Sequence, residues 1–277
     1  MENLNINYDK TVSNATVSMI SAGAILVISV LIVLLVLVIK RWKGRFIPLA
    51  LGVLSYVVFG FMFSQLLMSV LSLIPNVDQS FTYNTNAYVV IYNILLAAGF
   101  GIARWFTAKM MTDRYNRTGD VLMAGTGLAI GDTVITYALS MFTFFVYAQA
   151  ISANGLEKFI SDMFNSGMAE SDVITLYTSN VSQLIDSPAI LWFLMAVSAV
   201  LDIALNIMLF MVVYGVVKKQ VNYMYAYYAI IAQFVSNIMF QLYNAFSLTN
   251  IIVLFIVKLV IVGGIVLFIK EIKYSND

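Results

Sequence analysis

Long apolar runs separated by short polar segments dominate the chain. Several of these runs exceed the roughly 18 apolar residues that indicate a membrane-spanning helix. The pattern predicts an all-α membrane helix bundle, with residues 1–277 forming a single integral domain of seven transmembrane helices. The predicted spans are, in chain order, about 17–39, 46–74, 87–111, 121–150, 188–217, 223–246 and 250–269.

The long polar connection covers residues 151–187. Within it, residues 155–164 and 171–185 mix apolar with acidic side chains, which predicts short helices at the membrane interface. The tripeptide Asp186-Ser187-Pro188 then predicts a helix cap followed by a proline in the first helical turn.

Composition strengthens the membrane assignment and limits the chemistry. The chain is 61% hydrophobic and 10% charged, with a mean hydropathy of +0.91, a balance that no soluble globular domain has. It contains no Cys and no His, so it lacks thiolate chemistry, the commonest metal ligand and the usual proton carrier near neutral pH. We therefore expect no cofactor and no metal. The lipid bilayer is the expected environment, and no nucleic-acid module is present in the sequence.

The distribution of Lys and Arg predicts an orientation. With seven spans, eleven basic residues fall on one side and two, Lys10 and Lys158, on the other. The positive-inside rule then places the N-terminus and residues 151–187 outside, and the C-terminus in the cytoplasm. The eleven residues on the cytoplasmic side are Lys40, Arg41, Lys43, Arg45, Lys109, Arg114, Arg117, Lys218, Lys219, Lys270 and Lys273.

Four ionisable residues lie within predicted spans, namely Arg104, Asp132, Asp202 and Lys258. Charges are costly inside a bilayer, so such residues usually face the bundle interior and pair with one another. Two acids and two bases at comparable depth are expected to neutralise one another. Two interpretations follow from this pattern: interhelical contacts that fix the helix order, or a polar cavity that binds or processes a ligand.

Helical spacing adds uncharged polar residues to this set, because residues four apart share a helix face. With Arg104 and Lys258 they form the predicted cavity. The pairs predicted to share a face are Asp132 with Thr136, Asp202 with Asn206, and Gln233 with Asn237.

Patches in the second to sixth spans form a further pattern. The second span reads FIPLALGVLSYVVF over residues 46–59, the third carries Arg104 and the fourth carries Gly127. Together these patches, from about residue 45 to 237, resemble the YhfC-like family of glutamic-type intramembrane proteases. That family is related to the CAAX-protease and bacteriocin-processing membrane enzymes. The resemblance implies a multi-pass protein of a bacterial cytoplasmic membrane.

The resemblance also implies where the catalytic residues of the family would stand. None of these positions holds the family's residue, and the one carboxylate among them is an Asp in place of the longer Glu. This departure predicts that the fold is retained and the reaction lost. The Glu-Glu pair falls on Phe100 and Gly101, the first His on Leu128, the following Glu on Asp132, and two further His on Asn206 and Gln233.

Three functional hypotheses remain at this point. The first is a catalytically inactive, intramembrane-protease-like protein that binds a membrane protein or hydrophobic peptide, in an immunity or accessory role. The second is an active intramembrane peptidase that uses Asp132 and Asp202 as acid and base, which requires the two carboxyl groups to lie within one water of each other. The third is a small transporter, although the sequence shows no internal repeat to support it.

Overall fold

The computed structural model describes residues 8–73, 86–111, 115–242 and 248–269, which are helical apart from short connections and contain no strand. This confirms the predicted all-α class. The α-helices are α1 Asn14–Trp42, α2 Phe46–Ser55, α3 Phe63–Ser72, α4 Asn86–Met111, α5 Thr118–Asp132, α6 Leu139–Asn154, α7 Leu156–Asn165, α8 Glu170–Leu176, α9 Ser182–Asp186, α10 Ala189–Val217, α11 Met224–Leu242 and α12 Leu248–Ile269. Three π-helical segments continue neighbouring α-helices: π1 Tyr56–Met62, π2 Thr133–Ala138 and π3 Tyr177–Val181.

Among the described residues, five helical segments are long and apolar enough to cross a membrane. Helices α11 and α12 fall at the sixth and seventh predicted spans, and part of α12, Ile252–Val266, is a shorter apolar helix by length and composition. The five segments are Asn14–Trp42, Phe46–Leu71, Tyr88–Met111, Thr118–Asn154 and Ala189–Val217.

Some sequence predictions concern residues outside the described part of the chain. These are, wholly or in part, the connections at 76–86, 112–120 and 247–249 and the C-terminal residues 270–277, together with the basic residues Arg114, Lys270 and Lys273.

Helix α10 is the centre of the bundle. It packs against α1, α4, α5, α11 and α12. Its large side chains, including Trp192, Phe210 and Tyr214, are almost fully buried. By contrast, α1 is exposed along most of its length, as expected for a helix that faces lipid. Polar side chains on α10 are therefore held where several helices meet.

Helices α2 and α5 approach each other closely through glycines. A Cβ atom added to Gly127 would lie 2.1 Å from the carbonyl oxygen of Leu49, and one added to Gly52 would lie 2.2 Å from that of Ala124. Real Cβ atoms do not approach backbone so closely, so only glycine allows this distance between the helices.

A buried carboxylate fixes the beginnings of these two helices. Asp120, in the first turn of α5, is fully buried and accepts a bond from the backbone N–H of Arg45 at 3.1 Å. The guanidinium of Arg45 also binds both carboxylate oxygens and lies 4.6 Å from the ring centroid of Tyr115. Asp120 thus joins the first turn of α5 to the residue that precedes α2. This contact helps to set how residues further along the two helices lie beside each other.

The connection at 151–187 is helical, as predicted. Leu156, Ile160 and Leu184 point into an apolar cluster that also contains Ile20 and Trp192. These short helices therefore pack on the ends of the long ones instead of forming an open loop.

The predicted cap at residues 186–188 is wrong. Pro188 is itself the N-cap residue of α10, and no side chain caps this helix. Asp186 instead accepts a hydrogen bond from Lys10 Nζ at 2.6 Å, and this bond, with the carboxylate charge, raises the pKa of Lys10. The Asp186 carboxylate thus binds Lys10 in the N-terminal segment. This contact competes with a hydrogen bond that Asp186 would accept from the first turn of α10.

Replacing Gly127 by Ala is expected to lower the thermal stability of the purified protein in detergent. The new methyl group would overlap the carbonyl of Leu49, and overpacking of this kind costs about 1–3 kcal/mol. Gly263→Ala is the matched control, because a Cβ atom there meets no atom within 4 Å. Equal melting temperatures for the two variants would contradict the close approach of α2 and α5.

Candidate functional site

Two π-helical segments meet at Asp132. This residue ends α5, directly before π2, and Tyr56 on the neighbouring helix begins π1. The Tyr56 hydroxyl donates a hydrogen bond to Asp132 Oδ1 at 3.1 Å. A π-helical turn holds one extra residue, which re-aims the side chains around it, and such turns are frequent at functional sites.

Neutral donors satisfy both oxygens of the Asp132 carboxylate. Thr136 Oγ1 lies 3.3 Å from Oδ1 and also donates to the Asp132 carbonyl at 2.7 Å. Asn206 Nδ2 donates to Oδ2 at 2.8 Å. The residue is 8% exposed, so its carboxyl group depends on these protein donors more than on bulk water.

The hydrogen bonds continue from Asp132 across three more helices. Asn206 Oδ1 accepts from Arg104 Nη2 at 2.7 Å, and the same nitrogen donates to Gln233 Oε1. Gln233 Nε2 in turn donates to Asn237 Oδ1 at 3.0 Å. This set, which we call the amide relay, connects α5, α10, α4 and α11 in the order Asp132, Asn206, Arg104, Gln233 and Asn237.

The relay provides partners for a charge that is far from water. Arg104 is 0% exposed, and its Cζ lies 5.0 Å from the ring centroid of Phe100, close enough for a cation–π interaction. Its Nε and Nη1 have no hydrogen-bond partner among the described residues, so the amide oxygens bound to Nη2 are its polar contacts there. Breaking the pairing of a buried charge costs about 3–5 kcal/mol.

A second polar cluster joins α10 to α12. Lys258 Nζ donates to Asp202 Oδ2 at 2.7 Å and to Ser198 Oγ at 2.8 Å. Lys258 is 4% exposed, so this ion pair is shielded at its basic end. The structure thus pairs the four intramembrane charges in two ways: Asp202 binds Lys258 directly, and Asp132 reaches Arg104 through Asn206.

A cavity of about 320 Å³ borders both clusters. Its polar wall contains both carboxylates and the Lys258 ammonium group. Its apolar wall is formed mainly by α4, α6 and α10 through Leu96, Met141, Phe144 and Met195. The remaining polar side chains of the wall are Asn93, Thr133, Thr136, Tyr137, Ser140, Ser198, Ser236 and Asn237.

The structure brings all eight candidate residues from the sequence into these two clusters. Arg104, Asn206 and Gln233 do not line the cavity but support residues that do. The residues that line it are Asp132, Thr136, Asp202, Asn237 and Lys258. Asp202 and Asn206, which were predicted to share a helix face, bind different partners: Asp202 binds Lys258 and Asn206 binds Asp132.

Among the residues of the site that were not predicted from the sequence are Tyr56, Ser198 and Ser236. Ser198 precedes Asp202 by four positions and Ser236 follows Gln233 by three, so helical spacing could have identified both. Tyr56 carries no such signal, because its partner Asp132 lies 76 positions away on another helix.

The fold and the site together define a multi-pass helical membrane protein with a half-open cavity that is lined by both polar and apolar side chains. The chain belongs to the YhfC family: the family model described as YhfC intramembrane metalloprotease matches residues 25–259. No curated protein and no solved structure matches the chain. The family description names a metalloprotease, whereas the resemblance in the sequence implied a glutamic-type mechanism.

The residues of this site do not fit the metal that the family description implies. A catalytic zinc ion takes three protein ligands, most often His with carboxylate or Cys, and this chain has neither His nor Cys. Within the described residues, no group of three acidic side chains is placed to replace them. The amide oxygens of Asn206 and Gln233 already bind the Arg104 cation, which would repel a metal ion at that position.

Replacing Asn206 by Ala is expected to lower the free energy of unfolding by about 2–5 kcal/mol, because Arg104 and Asp132 each lose a buried partner. The measurement is thermal or denaturant unfolding in detergent, with Asn165→Ala on the exposed end of α7 as the control. If both variants unfold like the parent protein, the relay does not stabilise the bundle.

Proposed function

We propose that this protein is a catalytically inactive, protease-like membrane protein that binds a membrane partner or a hydrophobic peptide in its cavity. Immunity to a peptide, or an accessory role in a peptide-processing or export complex, is consistent with such binding. The observation that carries the proposal is the amide relay. In it, amide side chains that form hydrogen bonds occupy the centre of the site.

The state of Asp132 supports the loss of peptidase activity. To hydrolyse a peptide bond, a carboxylate must accept a proton from water while other donors stabilise the oxyanion. Here Oδ1 of Asp132 accepts from Tyr56 and Thr136, and Oδ2 accepts from Asn206. The cation of the relay, Arg104, binds two amide oxygens and is fully buried.

The shape of the cavity supports binding. Its volume of about 320 Å³ is at the lower end of the range of ligand pockets, roughly 300–1,000 Å³. That volume suits a few residues of a peptide and not a whole helix. Phe144 and Met195 belong to the apolar wall, and polar side chains come from α5, α10 and α11. This combination is typical of ligand sites.

One observation favours the alternative of an active peptidase. Asp132 and Asp202 line the same cavity, as an acid–base pair of carboxylates would. Against this, Asp202 is bound to Lys258 at 2.7 Å, which holds it as a charged structural partner. We therefore rank the binding function first.

We further propose seven membrane spans in a bacterial cytoplasmic membrane, with the N-terminus outside. Helices α11 and α12 supply the sixth and seventh spans. Two ion pairs support the arrangement of the connections, because each joins residues that the proposed topology places on the same side of the membrane. These are Lys10 with Asp186 outside, and Arg45 with Asp120 in the cytoplasm.

Single-cysteine labelling tests this orientation, since the natural chain has no cysteine to remove. In intact cells a membrane-impermeant maleimide is expected to label Lys158→Cys and to leave Arg41→Cys unlabelled. Both side chains are exposed and both lie near helix ends. The two positions should therefore differ in their reaction with the maleimide only because they lie on opposite sides of the membrane. Permeabilised cells are the control, in which both variants should react. Labelling of Arg41→Cys in intact cells would reverse the orientation.

The purified protein is expected to leave a hydrophobic membrane peptide uncleaved, both as the natural sequence and as Asp132→Ala. The substitution should instead lower stability or peptide binding, because it removes the acceptor of three hydrogen bonds. Mass spectrometry of the peptide after incubation in nanodiscs, with binding measured on the same samples, checks both statements. Robust cleavage that Asp132→Ala or Asp202→Ala abolishes would establish the peptidase instead.

A further inference from the structure

We propose that the cavity recognises an uncharged main-chain amide of the bound peptide and excludes charged groups. This inference rests on the proposed function and names the part of the ligand that the cavity binds. It follows from two of the polar wall atoms that have no partner among the described residues, and from the balance of charge around them.

The two atoms are Asp202 Oδ1 on α10 and Ser236 Oγ on α11. Both belong to residues that line the cavity, and neither has a hydrogen-bond partner among the described residues. Ser236 is 1% exposed, so its hydroxyl group is removed from bulk solvent. A buried polar atom without a partner is costly, and a ligand that supplies the partner gains that free energy on binding.

The chemistry of these atoms is complementary to a secondary amide. A carboxylate oxygen can only accept a hydrogen bond, whereas a serine hydroxyl can donate one. A peptide unit offers one N–H donor and one C=O acceptor. The N–H group can therefore bind Asp202 Oδ1, and the C=O group can accept from Ser236 Oγ. Inside a bilayer, a backbone amide that leaves its own helix has to find partners within a protein.

Charge balance excludes ionised ligands. The negative charge of Asp202 is matched by Lys258 at 2.7 Å, and that of Asp132 by Arg104 through Asn206. The charged side chains around the cavity therefore sum to zero. An added ammonium group at Asp202 would face the ammonium group of Lys258, and an added carboxylate would face both aspartates. Either would remain unpaired in an apolar environment, at a cost of several kcal/mol.

The apolar wall fits the flanking residues of such a ligand. Leu96, Met141, Phe144 and Met195 offer flexible or flat apolar surfaces in the same cavity as the polar groups. Together they favour a hydrophobic, uncharged peptide segment over a free ion or a polar metabolite.

The test uses three synthetic peptides that share a leucine- and alanine-rich sequence and differ at one central position. The first has glycine there, the second has N-methylglycine, which lacks the amide N–H, and the third has lysine. Binding of each fluorescently labelled peptide to the full-length protein in detergent micelles gives Kd from the fluorescence anisotropy. We expect the glycine peptide to bind tightest, the N-methylglycine peptide roughly 2- to 10-fold more weakly, and the lysine peptide weakest.

Ser236→Ala supplies the complementary change in the protein. Its hydroxyl group has no partner among the described residues, so its removal should leave the melting temperature unchanged. We expect the Kd of the glycine peptide to rise roughly 2- to 10-fold. Ser179→Ala, on an exposed turn of π3, is the matched control and should bind like the natural sequence.

The outcomes separate this inference from the proposed function. If none of the three peptides binds the natural sequence, the proposed function itself is wrong. If all three bind with equal Kd, or if Ser236→Ala binds like Ser179→Ala, the peptide-binding function stands and the amide-recognition inference is overturned.

Discussion

The rest of the structure depends on how the buried guanidinium of Arg104 is paired. A fully buried charge cannot be left without partners, and here the partners are amide oxygens from two other helices, those of Asn206 and Gln233. Asn206 then uses its remaining donor for Asp132. One charge on α4 thereby fixes the relative positions of α5, α10 and α11. The polar wall of the cavity is held in place by the same bonds.

This arrangement agrees with the proposal of a protein that binds a ligand without cleaving it. The amide side chains of the relay keep the helices together because each offers both a donor and an acceptor. They supply no base, and the oxygens that could serve as metal ligands are bound to a cation. Asn206 and Gln233 therefore serve the stability of the bundle but do not supply what hydrolysis requires. The relay stabilises the bundle beside the cavity to which we assign a binding function.

The sequence predicted the fold class and the polar residues well, because both follow from local patterns. Apolar runs identify helices, and a charge such as Arg104 or Lys258 inside one is conspicuous. Which of these side chains bind each other was not predictable from the sequence, since that depends on how each helix is rotated about its axis relative to its neighbours. The π-helical turns at Tyr56 and Thr133 shift the side-chain register, and no composition rule signals them.

The two ways of pairing charges have different consequences for the cavity. Asp202 and Lys258 form a direct ion pair in its wall, which leaves one carboxylate oxygen available to a ligand. Asp132 has both oxygens occupied, and its countercharge lies outside the wall. A ligand that reaches the cavity therefore meets a strong acceptor at Asp202 and a satisfied group at Asp132. The carboxylate on α5 is held by donors of Tyr56, Thr136 and Asn206, and we therefore place recognition of the ligand on the side formed by α10 and α11.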